Sequence, residues 1–264
     1  MALSISIAVL LGVYLFLSSY YDPPGSQWID DYRSWALGIS IGGKSILENG
    51  LRLSMGSSSN ITVIFTLPGI LKTDNTLYCI LSVMTEDRVV LQVAMGLDAS
   101  RNNWVVYAMI VEGIEEKTNY ILLDKEDEVY AEPYDRILLS IYSIKRDGYF
   151  IWMYKAINFD RGVMESGQLY TSEVGTFMDG LHEVFAFESY TTNNSVLENL
   201  WGLRLIEVLV DGDRVIDGFT VSDGFDFTGE HLFVVGGTRK VPSSVFIRMN
   251  QEGYIEWGYR PSEW

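Results

Sequence analysis

Glu188 and Glu207 are the residues of this chain whose type and setting come nearest to covalent chemistry. Each lies in a stretch with alternating apolar positions. Glu188 shares a strand face with Val184, Ala186 and Tyr190, and Glu207 with Leu203, Leu205 and Leu209. Two carboxylates on adjacent strands, about 5–5.5 Å apart in a groove, are what a retaining glycosidase requires. The plainer alternative is a pair of structural acids, turned outward or hydrogen-bonded. His182 and His231 are the only histidines, and they read as surface or strand-end residues. The chain has no phosphate loop, no metal-spaced His/Cys cluster and no nucleophile elbow.

A second constellation is aromatic. Asp147-Gly148-Tyr149-Phe150-Ile151-Trp152-Met153-Tyr154-Lys155 is echoed by Glu252-Gly253-Tyr254-Ile255-Glu256-Trp257-Gly258-Tyr259-Arg260. On a strand the Trp and the second Tyr of each copy face the same way. Trp152, Tyr154, Trp257 and Tyr259 could therefore form flat platforms for sugar rings. The competing reading is two equivalent hairpins that each bury a tryptophan. Two copies do not make a repeat architecture.

Acidic turns supply the remaining ligand types. Asp211, Asp213 and Asp217 could offer oxygen ligands to calcium, the one cofactor compatible with them, although their spacing is not that of an EF-hand. Otherwise they are turn residues, and no cofactor is expected. Asn60-Ile61-Thr62 and Asn193-Asn194-Ser195 are sequons, which makes Asn60 and Asn193 candidate glycosylation sites. Cys79 is the single cysteine and lies in an apolar run, so it reads as a small buried hydrophobe. No intrachain disulfide can form.

The elements that must carry these residues are strands. Ile61–Leu67 alternates cleanly, and Pro68-Gly69 closes it. Tyr78–Thr85, Val89–Leu97 and Trp104–Val111 are apolar on both faces, as central strands covered on two sides would be. Further strands are predicted at Leu51–Met55, Tyr120–Asp124, Arg136–Ile144, Tyr149–Ala156, Glu183–Thr192, Trp201–Val210, Val215–Val221, His231–Val235, Val245–Met249 and Tyr254–Tyr259. Lys145-Arg146-Asp147-Gly148 is a hairpin signal, whereas Asn158–Gly180 reads as mixed and loop-like. The spacing of turns, roughly every 8–12 residues, predicts an all-β jelly roll or β-sandwich.

Ahead of these strands stands Ala2–Tyr21, twenty residues without a charge, followed by Asp22 and Pro23-Pro24-Gly25. As a helix it would be roughly 30 Å long, the thickness of a bilayer's hydrocarbon core. It lacks the basic leader and small-residue cleavage site of a secretory signal. It therefore reads as a membrane anchor or as the packed core helix of a filament. The expected organisation is one N-terminal hydrophobic helix, residues 1–25, and one β-sandwich domain, residues 26–264. The net charge of −16 argues against nucleic acid as a partner. The flank of the apolar stretch carries no Lys or Arg before Arg33, and the domain is placed outside the cell.

Two resemblances sharpen these expectations. Trp35, Gly50-Leu51-Arg52-Leu53, the Gly148–Tyr154 hairpin and Glu188-Ser189-Tyr190-Thr191-Thr192-Asn193 together resemble the concanavalin-A-like lectin/glucanase sandwiches. The Glu-x-Asp-x-x-Glu strand of the glucanases is missing, so this resemblance implies the scaffold rather than the catalysis. The first 25 residues look like a mature archaeal type IV pilin, in which such helices bundle in the filament core and β-rich heads face solvent. The combined expectation is a non-catalytic cell-surface structural protein, a self-assembling, pilus-like filament subunit and glycoprotein whose partners are copies of itself through the helix, with membrane lipid before or instead of assembly. A single-pass anchored glycan-binding protein or glycosidase is the alternative, with surface glycans as the partner.

Overall fold

The computed structural model describes residues 35–41, 58–100, 102–112, 119–123, 130–178, 182–191, 193–214, 227–228 and 244–260. The apolar stretch Ala2–Tyr21 and the expected strands at 51–55, 215–221 and 231–235 lie outside them. No helix of the described residues is long and apolar enough to cross a membrane.

In chain order the strands are β1 (Trp35–Ile41), β2 (Asn60–Thr66), β3 (Thr76–Met84), β4 (Val90–Asp98), β5 (Trp104–Glu112), β6 (Asn119–Leu123), β7 (Tyr130–Ala131) and β8 (Arg136–Arg146). They continue as β9 (Tyr149–Asn158), β10 (Val163–Ser172), β11 (His182–Ser189), β12 (Arg204–Val210), β13 (Asp213–Arg214), β14 (Phe227–Thr228), β15 (Val245–Met249) and β16 (Ile255–Tyr259). One short 3-10 helix, Asn194–Asn199, precedes β12.

The strands form two antiparallel sheets. The seven-stranded sheet runs β1-β11-β3-β4-β5-β6, with β7 also beside β5. The nine-stranded sheet runs β10-β9-β8-β2-β12-β16-β15-β14, with β13 beside β12. This is the β-sandwich that the turn spacing predicts.

Strand alternation builds the core between the sheets. Ile61, Val63 and Phe65 of β2 point inward, as do Ile137, Leu139 and Ile141 of β8. From the other sheet come Leu77, Cys79 and Leu81 of β3, Val93 and Met95 of β4, and Phe185 and Phe187 of β11. Phe65 and Phe185 meet across the layer at 4.7 Å between ring centroids.

The β8–β9 hairpin turns through Asp147 and Gly148, with φ of 52° and 89°. Two successive positive φ values define the two-residue turn whose twist suits a hairpin. Asp tolerates that region and glycine occupies it freely.

Two strands depart from the sequence expectation. Val163–Ser172, within the stretch read as loop, is β10, an edge strand paired to β9. Its inward positions include Glu165 and Gly167, so the apolar alternation that marks a strand is missing. In β12 the register slips between Leu205 and Glu207. Leu203 and Leu205 are buried, and then Val208 and Val210, one position out of step. This bulge removes Glu207 from the face of Leu203 and Leu205 on which simple alternation puts it.

Candidate functional site

The two candidate carboxylates are not brought together. Glu188 lies on β11 in the seven-stranded sheet, and Glu207 on β12 in the nine-stranded one. Their inward neighbours, Phe187 and Val208, are both core residues. Each carboxylate therefore points away from the core on its own outer face. Sheets packed about 10 Å apart then hold the two groups too far from each other to share a substrate bond. Glu207 instead accepts a hydrogen bond from Arg214 Nη1 at 3.1 Å.

The aromatic platforms are core as well. Trp152 and Trp257 are completely buried. Trp152 donates its Nε1–H to the Val174 carbonyl at 3.1 Å and packs on Phe177 at 5.0 Å. Trp257 meets Phe185 edge-on at 5.6 Å. Tyr154 is buried and donates its hydroxyl to Glu165 Oε1, leaving Glu165 Oε2 buried without a partner. Tyr259 is half-buried against the core. No ring face of Trp152, Tyr154 or Trp257 is left for a sugar, so the echo marks two hairpins that each bury a tryptophan.

The acidic turn is likewise committed. Asp211 Oδ1 accepts the backbone N–H groups of Ser59 and Asn60 at 3.0 and 2.9 Å, which clips the end of β12 to the start of β2. Asp213 is exposed on β13, and Asp217 lies outside the described residues. Among the described residues no three His, Cys, Asp or Glu side chains converge as metal ligands would. Asn60 is half-buried, and its Oδ1 accepts from Ser140 Oγ at 3.4 Å. Asn193 is exposed, and its Oδ1 accepts from the Ser195 backbone N–H at 3.0 Å, capping the 3-10 helix. Burial raises the Cys79 thiol well above its ordinary value, as expected of an inert core cysteine.

What remains is the outer face of the seven-stranded sheet, where Glu188 has unexpected company. Register places Ala36, Glu188, Tyr78, Gly96 and Val105 in one row across β1, β11, β3, β4 and β5. The next row is Gly38, Ala186, Ile80, Ala94 and Tyr107. Tyr78, Ile80, Ala94, Ala186 and Tyr190 form a second apolar cluster, distinct from the core, with Tyr107 packed against it.

The tyrosines define its geometry. Tyr78 meets Tyr190 at 6.1 Å and Tyr107 at 5.6 Å, both nearly perpendicular at 89° and 87°. Gly96 makes the second contact possible. A Cβ there would fall 2.5 Å from the Tyr107 ring and 2.7 Å from the Tyr78 ring. Tyr107 in turn donates its hydroxyl to Asp98 Oδ2 at 3.3 Å.

Glu188 is the chemical oddity of this face. It is only 8% exposed. No group among the described residues hydrogen-bonds or ion-pairs with its carboxyl, and burial alone pushes its pKa up to about 7. Gln92 lies on the same face two rows away, roughly 16 Å by strand geometry. It donates Nε2–H to Ser82 Oγ at 3.2 Å, and its Oε1 is buried without a partner. A carboxyl near its midpoint at neutral pH, next to Tyr78 in the register, can hold or release a proton.

Sequence reasoning selected Glu188 but missed Tyr78, Tyr107, Gly96 and Gln92. The signal lay in strands read as apolar on both faces. Separating odd from even positions shows Leu, Cys, Val and Met inward, and Tyr, Ala, Gly and Gln outward.

No family model matches the chain, and no curated protein matches it. Among solved structures it is similar to scytalido-glutamic peptidase with a transition state analog inhibitor, at 11% identity and a TM-score of 0.47, over 86% of this chain and 98% of that one. It is also similar to the CBM2 module of Lactobacillus casei BL23 phage J-1 evolved Dit, at 12% identity and a TM-score of 0.26, over 61% of this chain and 70% of that one. At these scores neither likeness carries a role to this chain.

Proposed function

We propose that this chain is a non-catalytic, cell-surface structural protein: a β-sandwich head held outside the cell by an apolar N-terminal segment, through which copies of the chain assemble into a filament. The observation that carries this reading is Ala2–Tyr21, twenty uncharged residues joined to a strongly acidic chain. Water does not tolerate such a segment as a free helix, so it must be buried in lipid or against copies of itself. The separation of Glu188 and Glu207 onto opposite outer faces speaks against the glycosidase alternative. The lectin-like finer reading of the sandwich loses its aromatic platform, since Trp152 and Trp257 are interior.

The test compares the full-length chain with a variant lacking residues 1–24. The full-length chain is expected to form fibres by negative-stain microscopy, and the truncated chain to sediment as a soluble species. Identical fibres from both, or a full-length chain that stays monomeric without detergent or lipid, would rule the reading out.

A further inference from the structure

The two sequons of the chain, Asn60-Ile61-Thr62 and Asn193-Asn194-Ser195, are equal in sequence and unequal in the fold. A glycan added to an asparagine is bulky and hydrophilic, so it needs a surface site that a transferase can reach. Loops offer such sites, because their backbone is not committed to a ladder on both sides.

Asn60 lies on β2, a strand with β8 on one side and β12 on the other. Both of its backbone groups are held by Asp211. The Asn60 N–H donates to Asp211 Oδ1 at 2.9 Å, and its carbonyl accepts the Asp211 N–H at 2.9 Å. The hydroxyl of this triplet is committed too, since Thr62 Oγ1 donates to Ser140 Oγ at 2.9 Å, and Ser140 is buried. Reaching Asn60 as a free loop would mean tearing β2 out of its sheet.

Asn193 is placed differently. It stands in the connection after β11, just ahead of the 3-10 helix, and both Asn193 and Ser195 are exposed. Ser195 donates its backbone N–H to Asn193 Oδ1 at 3.0 Å and its hydroxyl to the same oxygen at 2.7 Å. Both bonds fall on Oδ1 and neither uses Nδ2, the atom to which a sugar would be joined. The amide and the hydroxyl of the triplet therefore stand together on the exposed side of one turn.

We propose that Asn193 is an N-glycosylation site and that Asn60 is not. The donor is an oligosaccharide linked to a lipid through phosphate. A bond forms between Asn193 Nδ2 and the anomeric carbon of the sugar. The bond from that carbon to the phosphate oxygen breaks, the lipid phosphate leaves with the electron pair, and one amide proton passes to a base of the transferase. The inference rests on the reading that the head lies outside the cell, and it does not depend on fibre assembly.

The test uses the full-length chain isolated from its own cells, after labelling the intact cells with a membrane-impermeant amine reagent. Trypsin puts the sequons on separate peptides, residues 53–72 and 162–204, which mass spectrometry reads independently. Sugar mass is expected on the second peptide and none on the first. Ser195→Ala removes the hydroxyl but keeps the backbone N–H bond to Asn193 Oδ1, so the turn persists while the sugar should be lost. Ser195→Thr should keep the sugar, Asn193→Gln should lose it, and Asn60→Gln should leave it unchanged. A surface-labelled chain with a bare Asn193 would overturn this inference alone, whereas an unlabelled and bare chain would overturn the extracellular placement with it. Sugar on the Asn60 peptide, or sugar that survives Ser195→Ala, would also overturn it.

Discussion

Glu188 and Tyr78 are direct register partners on β11 and β3, and no group among the described residues hydrogen-bonds or ion-pairs with the carboxyl on one side of that pair. Three other candidate side chains have named partners. Asp211 has two backbone amides, Glu207 has Arg214, and Trp152 has a carbonyl.

The first consequence is a pH dependence of stability. The folded chain holds the Glu188 proton up to about pH 7, whereas an unperturbed glutamate releases it near 4.5. The folded state thus binds more protons than the unfolded state between those values. The corresponding stability is fully present below about 4.5 and is lost as pH rises through about 7. Its size is about 3 kcal/mol. Asp135 runs the other way. Burial tends to raise its carboxyl, but hydrogen bonds from the Glu132 N–H, Asn158 and Arg161 outweigh this and hold it below the ordinary range, so its contribution fades only in stronger acid. Urea unfolding at pH 5 and pH 8 should show the loss in the native chain and its near absence in Glu188→Gln. Equal pH slopes in the two would contradict it.

The two hairpin tryptophans should behave as core. Trp152→Ala and Trp257→Ala should each cost about 3–5 kcal/mol by chemical unfolding. Trp152→Ala also strands the Val174 carbonyl, which receives its indole N–H. A loss below about 1 kcal/mol in either variant would mean that the ring is not interior.

Gly96 should not accept a side chain. The Cβ of Gly96→Ala would fall inside contact distance of both Tyr78 and Tyr107. The rings would have to part, at a cost of about 1–3 kcal/mol. Near-ultraviolet circular dichroism should lose part of its tyrosine signal. Native stability with an unchanged spectrum would show that the rings do not meet over this glycine.

Asp211 should act as a clip rather than as a metal ligand. Asp211→Ala removes the acceptor of two backbone N–H groups near the surface and should cost about 1 kcal/mol. Calcium should leave the melting temperature of the native chain unchanged. A calcium-dependent rise that Asp211→Ala abolishes would reverse the assignment.

Local patterns made much of this architecture legible. The Asp147-Gly148 turn was readable because only a few residue types accept two positive φ values in succession. The inward face of β2 was readable because Ile61, Val63 and Phe65 alternate with polar neighbours. β10 was hidden because its inward positions hold Glu165 and Gly167, which carry no apolar alternation. The slip at Ile206 was hidden because a bulge leaves no mark in composition, and it turned Glu207 away from the face assumed for it. The supposed neighbourhood of Glu188 and Glu207 failed for a different reason. Strand order is a tertiary outcome: β11 inserts between β1 and β3, while β12 joins the opposite sheet. The residue type at Glu188 was visible from the chain alone, but its company was not, because Tyr78, Tyr107 and Gly96 reach it only through non-local pairing.

The most direct test is the ionisation of Glu188 itself. The side-chain carboxyl carbon can be followed by NMR across pH 3–10 and assigned by its disappearance in Glu188→Gln. The account predicts a midpoint near 7. A midpoint near 4.5, the ordinary glutamate value, would contradict it, because the carboxyl would then be solvated or paired.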